Sequence, residues 1–244
     1  MIPLDPPTHL LVLTGAGVSA ESGIATFRDA GGLWEGSAVE DVASPDGFRR
    51  DPLLVWKFYS QRRAAMANVV PNAGHHALAA LEQRLGDRFL LVTQNIDGLH
   101  AAAGSRRMIE LHGNLMTSRC TVCDREPFED RSAYRDNVAP MCGRCKKAGT
   151  DALLRPDIVW FGEPIAKGAL PRIEDFLAAA GPAIQFLAVG TSGLVYPAAG
   201  LVDVVRKRGG GTWLVNADRP ANVDAFDEVI IGPAGTKLPE LFAR

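Results

Sequence analysis

The sequence predicts an α/β fold, an open parallel sheet with helices on both faces, joined to a small cysteine-pinned domain. Short apolar runs at residues 10–13, 89–93, 108–111, 184–189, 213–215 and 228–231 have the length and composition of strands buried on both faces. Each run hands over to a Gly-rich or polar motif: Thr14-Gly15-Ala16-Gly17, Gln94-Asn95-Ile96-Asp97, His112-Gly113-Asn114, Gly190-Thr191-Ser192-Gly193, Asn216-Ala217-Asp218 and Gly232-Pro233-Ala234-Gly235. Stretches of helical spacing separate the runs, and the cysteines come as two Cys-x-x-Cys pairs. Ligands of open α/β sheets bind outside the carboxyl ends of the strands, so these motifs are expected to line one composite pocket of a Rossmann-like sheet.

The first strand runs into Gly15-x-Gly17-x-x-Ala20. Two glycines permit a tight turn and a close approach to the backbone. Helix-starting residues at 19–22 would then aim N–H groups at the turn, an anion site suited to a pyrophosphate. Alone, this loose fingerprint reads equally as a strand-to-helix turn that needs small residues. An ordinary dinucleotide fold continues into a second strand tipped by an acid. Residues 27–34 instead read Phe-Arg-Asp-Ala-Gly-Gly-Leu-Trp, a loop suited to folding over a nucleotide.

Residues 44–70 read as helical with interruptions at Gly47 and Pro52, and 52–66 as one packed helix. Tyr59 and Arg62, three apart, share a face of it. Pro71-Asn72 opens another helix through His75 and Leu81, closed near Gly86.

With 244 residues, 47% of them hydrophobic, the chain can bury a substantial core. A net charge of −2 implies no polyanion-binding surface, and direct nucleic-acid binding is not expected. No apolar run approaches the roughly 20 residues of a membrane helix. The Pro-rich opening carries no basic start or apolar signal core, so a cytoplasmic protein is expected, without a membrane partner. Cysteines in such a setting point to metal or catalysis rather than disulfides. Cys120-x-x-Cys123 and Cys142-x-x-Cys145 stand 18 residues apart, the spacing of a four-thiolate zinc ribbon. A closed four-cysteine shell has no open coordination position, so the zinc is expected to be structural, one per chain.

His75 and His76 fall on a helix, where capping or a core hydrogen bond is the ordinary role; His100 is ambiguous. His112 sits at a strand end beside a glycine, where an imidazole can exchange a proton near neutral pH.

The string GAGVSAESGIATFRDAGGLW resembles the NAD-binding signature of the sirtuins, NAD-dependent protein-lysine deacylases, with Ala25 where proline is common. QNIDGLH, ELHGNL, GTS, VNAD and the paired cysteines follow in sirtuin order across nearly the whole chain. The resemblance implies that NAD is a co-substrate: the acyl-lysine carbonyl oxygen attacks ribose C1′, nicotinamide leaves, and the acyl group ends on the 2′-oxygen of ADP-ribose. His112 would be the general base, with Asn95 as a catalytic partner. Gly15, Ala16 and Gly17 would lie along the pyrophosphate, Ser19 and Arg28 would contact phosphate or ribose, and Phe27 would shield the reacting sugar. Ala20, Glu21, Thr26 and Trp34 complete that part of the NAD site. Gln94 and Asn95 would hold ribose hydroxyls and a water, and Ile96 and Asp97 the nicotinamide carboxamide. Gly190, Thr191 and Ser192 would receive phosphates and ribose, Asn216 and Asp218 the adenosine ribose, and Ala234 the adenine. At 216–218 the sirtuin Asn-x-Glu is shortened to Asn-Ala-Asp. Val159, Trp160, Phe161 and Gly162 resemble the segment that takes the substrate peptide as an added strand. The expected partition is 1–32, 75–113 and 153–244 for NAD binding, and 33–74 with 114–152 for a small helical and zinc domain.

FYSQRR resembles the Tyr-x-x-Arg helix of sirtuins that remove succinyl and malonyl groups, though such a pair is ordinarily a half-buried aromatic beside a solvated arginine. A carboxylate entering an apolar tunnel needs a partner. Arg62 can grip it with two hydrogen bonds, and Tyr59 can add a hydroxyl. The expected substrate is therefore acylated lysine in proteins or peptides, succinyl or malonyl ahead of acetyl. Predominant deacetylation, mono-ADP-ribosyl transfer, an NAD-dependent dehydrogenase and a non-enzymatic zinc module are the alternatives. A dehydrogenase lacks its second-strand acid here, and the ribbon occupies too little of the chain for the last.

Overall fold

The structure, a computed structural model, describes residues 2–25, 33–34, 36–193, 196–220 and 222–243, with residues 33 and 34 as backbone only. In chain order its strands are β1 (His9–Thr14), β2 (Leu33–Trp34), β3 (Ser37–Ala38), β4 (Phe89–Thr93), β5 (Met108–Glu110), β6 (Gly113–Cys120), β7 (Phe128–Glu129), β8 (Leu154–Ile158), β9 (Ile184–Val189), β10 (Gly211–Asn216) and β11 (Glu228–Ile231). The α-helices are α1 (Val39–Val42), α2 (Pro45–Arg50), α3 (Pro52–Ala65), α4 (Ala73–Leu85), α5 (Leu99–Ala102), α6 (Gly143–Lys147), α7 (Ala169–Ala180), α8 (Leu201–Lys207) and α9 (Ala234–Phe242).

Six strands form one sheet in the order β11-β10-β9-β1-β4-β5. Every pairing in it is parallel. Counted within this sheet alone, the order is 3-2-1-4-5-6 read from the β5 edge, the doubly wound arrangement whose strand order reverses between β1 and β9. The continuous apolar runs follow from burial on both faces. Leu11 and Leu13 pack with α7 and α8 through Ile173, Leu177, Val202 and Val205. Leu10 and Val12 face the other side, against Leu78 and Leu81 of α4 and Leu238 of α9. All six predicted strands are present, β1 and β10 longer than their apolar runs and β5 ending a residue sooner.

A second sheet, β7-β6-β8, is antiparallel. β8, inside a range expected to belong to the NAD-binding part, pairs here with β6. Against this sheet packs α3, burying Val55, Trp56, Phe58 and Tyr59 in a third core with Leu115, Leu154, Ile158 and Trp160. Asp51 caps α3 by accepting the Leu54 N–H at 2.9 Å, and Pro52 occupies its first turn. Buried Arg63 fastens α3 to the sheet. It donates to the carbonyls of Leu115, Thr117 and Ser132, to Ser118 Oγ and to the Asp130 carboxylate, all at 2.8–3.1 Å. No helix among the described residues is long and apolar enough to cross a membrane.

Candidate active site

The carboxyl ends of β1, β4, β9 and β10 are stitched edge to edge. Gly15 N–H donates to Val189 O at 3.0 Å, Gln94 N–H to Thr14 O at 2.9 Å, and Gly190 N–H to Val215 O at 2.9 Å. Gln94 Nε2 reaches Thr191 Oγ1 at 3.0 Å across 97 residues of sequence. Motifs that look unrelated along the chain therefore form one rim at the point where the strand order reverses.

Gly15 and Gly17 have a steric reason to be glycine. A Cβ on Gly17 would stand 2.6 Å from Gly190 Cα, and one on Gly15 would stand 2.9 Å from Gly190 O. Gly190, at φ +59°, would itself drive a Cβ to 2.3 Å from Val18 N. The two loops thus meet backbone to backbone. The helix after the turn is a 3₁₀ segment, Ala16–Ser22, closed by Gly23 at φ 85°. Glu21 accepts the Gly235 N–H at 2.5 Å, tying this segment to the start of α9 beside buried Ala234.

Below the rim lies a buried polar network. Ser19 Oγ–H donates to Asp97 Oδ2 at 2.7 Å and accepts from Asn95 Nδ2 at 3.2 Å. Asp97 Oδ1 accepts the Leu99 N–H at 2.9 Å, so each carboxylate oxygen already holds a partner. His75 completes a reciprocal capping box with Asn72: its Nδ1 accepts the Asn72 N–H at 3.2 Å. Its other nitrogen then carries the hydrogen, 3.4 Å from Ser19 Oγ. Burial pushes His75 down to about 4, against the pull of Asp97, so the ring is neutral at neutral pH. His100 is buried beneath, its Nε2 2.9 Å from Thr14 Oγ1, and burial pushes it to about 3. Sequence reasoning left His75 and Asn72 outside the site. The Asn-x-x-His cap was visible in the sequence, but its contact with Ser19, 56 residues away, was not.

His112 follows β5 and is half-buried. Its Nδ1 lies 2.9 Å from Gln94 O. A carbonyl only accepts, so Nδ1 bears the hydrogen and Nε2 holds the lone pair. Burial lowers the His112 pKa, partly opposed by the Gln94 hydrogen bond. The main chain of His112 also bonds forward, its carbonyl accepting the Val159 N–H at 2.9 Å.

The Trp160 N–H is held by Glu163 Oε2 at 2.9 Å and the Phe161 N–H by Ala43 O at 3.0 Å. The Glu163 N–H is likewise taken, by Trp160 O at 3.0 Å, so an incoming peptide strand would meet carbonyls or the Gly162 N–H along this segment. The Trp160 indole N–H donates to Tyr59 Oη at 3.0 Å. Tyr59 is buried, which raises its pKa and keeps it a neutral hydroxyl. Arg62 stacks its guanidinium 3.1 Å above the centre of the Phe58 ring and donates to Phe58 O at 2.8 Å. At the ends of β9 and β10, Asn216 Nδ2 donates to Asp218 O at 2.8 Å, Thr191 is buried and Ser192 exposed. Thr26, Phe27, Arg28 and the side chain of Trp34 lie outside the described residues.

The four cysteines converge. Their sulfurs all lie within 4.8 Å of one another, with Cys120–Cys145 at 3.6 Å and Cys123–Cys142 at 3.8 Å. A tetrahedral zinc with Zn–S bonds of ~2.3 Å sets its sulfurs about 3.8 Å apart, so the donor set fits zinc and the separations are far from a disulfide. The N–H groups of Val122 and Cys123 donate to Cys120 Sγ at 3.4 and 3.3 Å, as a thiolate knuckle requires. For NAD, the small-residue crossover, the backbone rim and the hydroxyl and amide groups of Ser19, Gln94, Asn95 and Thr191 suit an extended dinucleotide.

Comparison with known proteins agrees. The Sir2 family profile matches residues 15–197. An NAD-dependent protein deacylase of Thermococcus kodakarensis is 44% identical over 239 residues, spanning 96% of this chain and 90% of that protein. A Salmonella typhimurium protein of the same description is 46% identical over 235 residues, spanning 95% and 82%. Among solved structures, a Sir2 homologue complexed with NAD superimposes with a TM-score of 0.85 at 42% identity, covering 96% of this chain and 88% of that one. A Sir2–p53 peptide–NAD complex gives 0.81 at 28% identity, covering 98% and 94%. With the family profile matching residues 15–197 and relatives of more than 40% identity spanning nearly its full length, the chain belongs to the Sir2 family of NAD-dependent protein deacylases.

Proposed function

We propose that this NAD-dependent protein deacylase prefers acidic acyl groups, succinyl and malonyl, over acetyl on lysine side chains of proteins or peptides. The observation that carries this reading is the contact between Tyr59 and Trp160, which sets the Tyr-x-x-Arg face of α3 against the segment expected to take the peptide. Arg62 stands one turn on, its cation anchored on Phe58 in an apolar setting where a second charge needs a partner. Acetyl offers it no anion.

NAD supplies an activated ribose carbon with nicotinamide as leaving group. The chain's part is to bind, orient and move protons. Gly15, Ala16, Gly17, Gly190, Thr191 and Ser192 receive the phosphates, with Ala20, Glu21 and Ala234 towards the adenine and Asn216 with Asp218 towards its ribose. Gln94, Asn95, Ile96 and Asp97 order the nicotinamide end. His112, through Nε2, takes a proton from a ribose hydroxyl so that its oxygen can accept the acyl group. A homologue complexed with a p53 peptide and NAD fits a peptide substrate, which this reading seats along 159–162.

The test is kcat/KM on matched succinyl and acetyl peptides, for wild type, Tyr59→Phe and Arg62→Met. Wild type should favour succinyl, and Arg62→Met should cut that preference by about 10- to 100-fold, the scale of a hydrogen bond to a charged group. An acetyl preference in wild type, or a succinyl preference that survives the substitution, contradicts the reading.

A further inference from the structure

We propose that Arg155 and Glu163 are positioning residues for acyl selection: their guanidinium–carboxylate fork holds Trp160, and Trp160 holds the Tyr59 phenol. This rests on the reading that Tyr59 and Arg62 select the acyl group. Arg155, the second residue of β8, is buried. Its Nη1 meets Glu163 Oε1 at 2.7 Å and its Nη2 meets Glu163 Oε2 at 2.8 Å, a two-point grip that fixes angle as well as distance. The same Nη2 donates to Ile158 O at 2.8 Å, so the base of the loop is held with its far end.

Glu163 closes the turn from both sides. Its carboxylate accepts the Trp160 N–H at 2.9 Å, and its own N–H donates to Trp160 O at 3.0 Å. The Arg155 guanidinium covers the indole face at 3.4 Å, and the Phe48 ring packs at 5.3 Å. Gripped this way, the indole keeps its N–H on Tyr59. One residue upstream, Val159 N–H is bonded to the His112 carbonyl. A single residue step thus links the main chain of His112 to the group that orients the phenol. Buried ion pairs are poor sources of net stability, and a role in fixing one geometry accounts for this one. Arg119, 3.5 Å from Glu163, adds a second cation on the outer flank.

The experiment uses the full-length, zinc-loaded enzyme with Arg155→Lys, Glu163→Gln and Glu163→Ala, measured on matched succinyl and acetyl peptides. Lysine keeps the charge but not the fork, and glutamine keeps an acceptor for Trp160 but not the ion pair. The succinyl-to-acetyl ratio of kcat/KM should fall by about tenfold, the scale of one lost hydrogen bond, mainly through KM for the succinyl peptide. KM for NAD should hold, Glu163→Ala should exceed Glu163→Gln, and Glu163→Gln should add little to Tyr59→Phe. Equal loss on both peptides with a lowered Tm is the pattern of a merely structural pair and overturns the proposal. A ratio that responds to Tyr59→Phe but not to the fork variants also overturns it, leaving the acyl reading intact. If Tyr59→Phe and Arg62→Met leave the ratio unchanged, the reading fails and the proposal with it. Should Glu163→Gln not fold, Trp160→Phe, which removes the indole N–H and keeps an aromatic in the packing, puts the same question to the ratio.

Discussion

The hydrogen on Nδ1 of His112 is held by the Gln94 carbonyl at 2.9 Å, and that contact dictates which nitrogen can act as a base. Burial lowers the pKa against the opposing effect of the carbonyl, so the midpoint of Nε2 protonation lies below the ordinary histidine value. Activity that needs neutral His112 is complete above that pKa and is lost as the pH falls through it. The acid limb of kcat/KM should therefore lie below about 6.5. His112→Ala should lose ~100-fold or more of the rate, with that limb. A limb above 6.5, or one retained in the variant, contradicts the assignment. His112 was readable as a candidate because a histidine at a strand end beside glycine is out of place in a core. His75 was readable only as a cap. Its approach to Ser19 depends on how α4 meets the first turn, which no local pattern encodes.

At the scale of elements, the Cys-x-x-Cys pairs were legible from spacing alone, since a closed tetrahedral shell constrains spacing strongly. The attachment of their sheet to α3 was not, because Arg63 looked like its neighbour Arg62 until burial separated them. Arg62 is half-exposed, while Arg63 has a fully buried side chain bonded to Asp130, whose carboxyl is held low by Ser118 and Arg63 despite its burial. Loss of the metal should therefore reach the helix that carries Tyr59 and Arg62. Chelation of zinc is predicted to lower Tm and abolish deacylation together, with both recovered on adding zinc back. A folded, metal-free protein with full activity contradicts a structural metal. β8 escaped the sequence reading for a related reason. Leu-Arg-Pro-Asp-Ile has no strand-like alternation, and its Arg155 is interpretable only beside Glu163.

Across the whole molecule, the six strands of the parallel sheet were legible because burial on both faces leaves continuous apolar runs. Their order was not written in any run; it emerges only in the tertiary pairing that places β9 beside β1. That reversal brings Gly15, Gln94 and Gly190 to one rim, with His112 at its edge. The central claim is that this rim binds NAD as a co-substrate consumed in removing an acyl group from lysine. Mass spectrometry of the products formed from NAD and an equimolar succinyl/acetyl peptide pair tests it most directly. Free nicotinamide and 2′-O-acyl-ADP-ribose should appear one for one with each deacylated lysine, the succinyl ester ahead of the acetyl. NADH, or ADP-ribose bound to protein with the acyl-lysines intact, would contradict it.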